Sequence, residues 1–63
     1  MVVEVIFIED RTTKKRVFTC TSATTQILPD KSGNVVFLGG RDENSREVLT
    51  FTAAHCESIT KYA

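Results

Sequence analysis

Apolar and β-branched residues recur along this chain with a period of two, in short runs separated by turn-forming residues. Lys15 to Ser22 alternates Val17, Thr19 and Thr21 with Phe18, Cys20 and Ser22, and Arg46 to Thr52 alternates Val48, Thr50 and Thr52 with Leu49 and Phe51. Successive side chains of an extended strand point to opposite faces, so this period describes half-buried strands. Val2 to Ile8 and Val35 to Leu38 are continuous apolar runs rich in Val and Ile, too short for a buried helix, and are read as two further strands.

The connections follow from residue chemistry. Asp10 to Lys14 is read as the loop after the first strand, and Ser22 to Leu28 as a bent continuation of the second. Pro29, Asp30, Lys31, Ser32, Gly33 and Asn34 combine a fixed φ with a residue that accepts a positive one, which predicts a turn. Gly39 to Ser45 is read as a polar hairpin connection, with the two glycines as turn geometry or a bulge. Short connections between consecutive strands predict an antiparallel meander. The tail leaves two folds open. If Ala53 to His55 makes one helical turn and Cys56 to Tyr62 a short fifth strand, the chain is an all-β, SH3-like or Sm-like barrel of about five strands, which is the expected architecture. If Thr52 caps a helix over 53–62, with Ala53, Cys56 and Ile59 on one face, the fold is α+β, a four-stranded antiparallel sheet with a C-terminal helix.

Sixty-three residues make a single domain over 1–63, near the lower size limit for a self-sufficient hydrophobic core, so a subunit contact can decide its stability. Eight basic residues balance eight acidic ones, and no global field draws the chain to nucleic acid or to a membrane surface. Met1 to Ile8 carries Glu4 and lacks both a basic leader and a small-residue cleavage site, so it is read as a strand. No apolar run approaches the roughly 20 residues that cross a bilayer. A cytoplasmic location without membrane association is the expectation, with Cys20 and Cys56 as reduced thiols.

Two strands depart from the half-buried pattern. Val3, Val5 and Phe7 fill one face of the first strand while Ile6 and Ile8 occupy the other, and Val35 and Phe37 oppose Val36 and Leu38 in the third. Either the fold covers both faces itself, or Ile6, Ile8, Val35 and Phe37 form an apolar interface with another copy or another protein. Free strand edges offer a further route to a partner.

Chemistry finds little to work with. His55 and Cys56 are adjacent and would point to opposite faces of a strand, so a thiol–imidazole dyad requires the fold to bring His55 to Cys20. Cys20, His55 and Cys56 supply three soft ligands without paired spacing, and Asp42 with Glu43 lacks the spaced oxygen set of a calcium loop. No enzyme, metal, cofactor or small-molecule substrate is expected. Four of the eight basic residues, Arg11, Lys14, Lys15 and Arg16, fall in one short stretch, read as a basic loop able to touch phosphates or an acidic protein surface. No aromatic residue sits in that stretch to stack on bases. The order of an apolar strand, a basic loop, a Thr-rich strand and a Pro/Gly turn resembles small stand-alone β proteins of bacteria and phages, which implies an accessory or regulatory protein. The expected function is a protein-interaction module, self-associating or bound to another protein, acting through an apolar sheet face or a strand edge. Nucleic-acid binding through 11–16 is the alternative.

Overall fold

A computed structural model describes residues 1–31 and 33–63; Ser32, within the expected turn, lies outside the described residues. The described residues are all-β, with six strands: β1 (Val2–Glu9), β2 (Thr12–Thr19), β3 (Ser22–Asp30), β4 (Gly33–Arg41), β5 (Glu47–Ala53) and β6 (Cys56–Tyr62). They form two three-stranded antiparallel sheets, ordered β2-β1-β6 and β3-β4-β5. Among the described residues no helix is long and apolar enough to cross a membrane.

The tail is a strand, which overturns the helix over 53–62. Ala53 ends β5, Ala54 and His55 bend the chain in place of the expected helical turn, and β6 pairs with β1 through Val5↔Ile59 and Val2↔Tyr62. Ile59 and Thr60 are β-branched and fit a pleated surface better than a helix. The strand count is therefore six against the expected five. The extra strand arises at Cys20 and Thr21, where the chain leaves one sheet for the other. The Cys20 N–H donates to the Met1 carbonyl of the first sheet and the Thr21 N–H to the Arg41 carbonyl of the second, both at 3.0 Å. A matching corner joins β5 to β6, where the Ile8 N–H donates to the His55 carbonyl at 3.1 Å.

Three expected connections move. Asp10 and Arg11 alone form the first turn, with φ of 52° and 62°, and Glu9 pairs with Thr12 across it. Two consecutive positive φ values are the signature of a type I′ hairpin, whose twist matches that of its strands. Residues 12–14 therefore belong to β2. Pro29 and Asp30 lie inside β3, which is tolerated because β3 is an edge strand and one of its sides needs no backbone donor. Gly39 and Gly40 lie inside β4, and the connection to β5 shrinks to 42–46. That loop is organised by Asp42, whose carboxylate accepts the N–H groups of Asn44 and Arg46, both at 2.9 Å. The ladder shifts between Gly40 and Arg41, leaving Val48 unpaired and exposed.

The core sits between the inner faces of the two central strands, β1 and β4. Val3, Val5 and Val36 are fully buried, and Phe7, Leu38, Cys20, Ala53 and Cys56 complete the buried set. Phe18, Ala23, Leu49, Phe51 and Ile59 pack around it from the edge strands. Gly40 lies buried on the inner face, where a Cβ would stand 3.1 Å from Leu49 and 3.2 Å from Cys20, so close packing favours glycine there.

Candidate binding cleft and the two outer faces

The two sheets part where the start of β2 faces the end of β5. Residues paired across an antiparallel ladder share a face, so Lys14 and Arg16, opposite Phe7 and Val5, lie on the core-facing side of β2, and Lys15, opposite Ile6, on the outer side. The inner face of an edge strand is only partly covered, which lets these long cations reach solvent while their stems lie on apolar surface. The result is an open cleft of about 570 Å3 with Phe7 and Phe51 at its floor, Lys14, Lys15 and Arg16 along one wall and His55 on the other. Glu9 and Asp10 close one end.

Phe51 ties this corner together. Its ring centre lies 5.0 Å from that of Phe18 and 5.6 Å from that of Phe7, both with tilted rings. The Arg16 guanidinium stands over Phe18 and Phe51 at 5.4 and 5.5 Å. A cation over an aromatic face is held by the ring quadrupole, and the planar guanidinium keeps donors free at its rim.

Residues 11–16 are thus not a loop: Arg11 sits in the two-residue turn and the other three cations belong to an edge strand. The cause is turn chemistry without glycine, which hides a tight hairpin inside a polar stretch. The cleft brings Lys14, Lys15 and Arg16 together with His55; Arg11 does not line it.

The four apolar candidates separate into two pairs on opposite sides of the molecule. Ile6, half-buried, and Ile8, exposed, lie on the outer face of the β2-β1-β6 sheet, beside Lys15 and Thr13. On that face the Tyr62 hydroxyl donates to the Glu4 carboxylate at 3.3 Å. Val35 and Phe37 lie on the outer face of the other sheet, where Leu28 is the cross-strand partner of Val35. Leu28 ends the segment read from sequence as a continuation of the second strand, and nothing in its two-residue period reveals that it pairs with Val35 in a different sheet.

Cys20 and His55 do not meet. Cys20 packs against Gly40 and His55 against Gly33, at opposite ends of β4, and seven residues of strand separate these by about 23 Å. Both thiols are free and buried, and burial pushes that of Cys56 above its ordinary value. Among the described residues no three His, Cys, Asp or Glu side chains cluster to hold a metal ion. No protein-family model, curated protein or solved structure matches the chain.

Proposed function

We propose that the chain is a protein-interaction module that takes an extended acidic segment of a partner protein along the free edge of β2. The observation that supports this reading is the cleft, where Lys14 and Arg16 on the inner side of an edge strand border a floor of Phe7 and Phe51, with Lys15 beside them on the outer side. An edge strand offers unpaired backbone groups to an added strand, and side chains in the cleft add selectivity. Carboxylates on alternate residues of the incoming strand would meet Lys14 and Arg16 on the core-facing side, and the residues between them would lie on the outer face beside Lys15. Glu9 and Asp10 repel carboxylates at one end and so favour one direction of entry. The two corners turn β2 with β3 and β5 with β6 into long bent strands around β1 and β4. That supports reading the paired sheets as a small SH3-like or Sm-like barrel parted at this cleft.

The same cations suit nucleic acid less well, since the Arg16 guanidinium already stands over the Phe18 and Phe51 rings and competes with a base for stacking there. Titrating the isotopically labelled chain with a peptide of alternating Glu and Val tests the reading. Saturable, salt-sensitive shifts in β2 and β5 are expected, abolished in the Lys14→Glu/Lys15→Glu variant. Absence of shifts, or preferential saturation by oligothymidylate, overturns it.

A further inference from the structure

The outer face of the β3-β4-β5 sheet combines a projecting side chain and a vacancy, side by side on the central strand. Phe37 is 42% exposed at the middle of β4. Gly39 follows two residues later on the same face, and a Cβ built there would meet nothing within 4 Å. Thr24 and Thr50 flank Gly39 on the neighbouring strands, and Gln26 and Thr52 flank Phe37. The notch over Gly39 is an open depression of about 360 Å3, with Arg41 and Glu47 at its far rim. Between Phe37 and Gly39 the face carries no charge, and the chain has a formal net charge of +0.

We propose that this face is an interface between two copies of this chain, related by a two-fold axis that crosses β4 between Phe37 and Gly39. Such an axis lies in the plane of contact and runs one β4 antiparallel over the other. Residue 37 of each copy then stands over residue 39 of its mate, so each ring enters the other's notch. Isologous contacts require a surface complementary to itself, and a knob and a hole about 6.6 Å apart on one strand meet that requirement. The same axis sets Gln26 over Thr24 and Thr52 over Thr50, pairs that exchange hydrogen bonds without ionic cost. A charged partner would find no counter-charge at the centre of this face, whereas a second copy brings an equally uncharged one. Phe37 and Gly39 line no part of the cleft, and of the residues set over one another only Thr52 does, so the dimer does not depend on the acidic-segment reading.

Sedimentation of the full chain from about 10 μM to about 1 mM tests it, with wild type expected to pass from monomer to dimer. Gly39→Val fills the notch in open space at a position of ordinary backbone, so the monomer keeps its fold while the ring of the mate is excluded. The variant is expected to stay monomeric with an unchanged amide spectrum and an undiminished melting temperature. In wild type mixed from labelled and unlabelled copies, intermolecular NOEs are expected from the Phe37 ring to Gly39 and Thr50. The Lys14→Glu/Lys15→Glu variant dimerises as wild type does, which separates this surface from the cleft. A wild type that remains monomeric throughout, or a Gly39→Val variant that associates as tightly, overturns the proposal.

Discussion

The Arg16 guanidinium stands 5.5 Å from the centre of the Phe51 ring, spanning the gap between the two sheets at the corner where they part. Phe51 contributes from β5 and Arg16 from β2, strands that share no backbone ladder. Side-chain packing alone ties the sheets here. An exposed cation–π contact is worth about 0.5–1 kcal/mol and each aromatic pair about 0.5–1.5 kcal/mol beyond its area. Phe51→Leu, which forfeits its contacts with Phe7, Phe18 and Arg16, is expected to cost about 2–3 kcal/mol in urea unfolding, and Arg16→Ala under 1 kcal/mol. A double-mutant cycle should return a coupling of about 0.5–1 kcal/mol, and a coupling of zero would deny that the guanidinium and the ring interact.

Gly39 and Gly40 are neighbours with opposite tolerances. Gly40 faces inward, where an added methyl meets Leu49 at 3.1 Å and Cys20 at 3.2 Å, tighter than ordinary packing. Gly40→Ala is therefore expected to destabilise by about 1–3 kcal/mol, the usual range for overpacking. Gly39→Ala, facing open space with no positive φ, is expected to gain about 0.4–1 kcal/mol by restricting the unfolded chain. Equal urea midpoints for the two variants would contradict the inward and outward assignment.

These glycines also show where the sequence was legible. The inward faces of β2 and β5 follow from the two-residue period, which sets Phe18 with Cys20 and Leu49 with Phe51, whereas β1 and β4 are apolar on both faces and only the packing sorts Val36 and Leu38 inward from Val35 and Phe37. Strand ends were harder. Thr12 to Lys14 has no apolar residue because the β2 edge is wet, so it reads as loop, and Gly-Gly before a polar stretch reads as a turn although close packing at Leu49 and an empty outer face explain it better. The cleft was half legible: its cations are consecutive in sequence, but Phe51 and His55 reach them only through the corner at Ala54. Nor does the alternation of one strand say which sheet it will join, which is why Ile6 and Phe37 looked like one patch and lie on two.

Arg11 holds a φ of 62° in the β1–β2 turn, a conformation in which a non-glycine residue loses about 1 kcal/mol or more. Its side chain is exposed and lines no part of the cleft. Arg11→Gly completes the Asp-Gly pair that type I′ turns favour. It is expected to raise stability by about 1 kcal/mol, which for a domain this small is a melting shift of about 4–8 °C. A lowered melting temperature would show that the Arg11 side chain makes a contact outweighing the strain.

Cys56 sets an alkaline limit. Its thiol lies buried opposite Phe7, and burial raises its pKa above the ordinary value of 9.0. A group whose folded pKa is raised contributes stability that is complete below the unfolded pKa and is lost as pH climbs through the folded one. The loss therefore begins near pH 9 and grows above it, where the unfolded chain ionises first. Urea midpoints at neutral pH and above pH 9 should fall more for wild type than for Cys56→Ala, which has no thiolate to expose. The same burial makes the folded thiol a slow nucleophile, so iodoacetamide labelling of Cys56 should lag well behind that of a free cysteine and accelerate with urea in step with unfolding. Labelling as fast as free cysteine in the native state would place Cys56 in solvent.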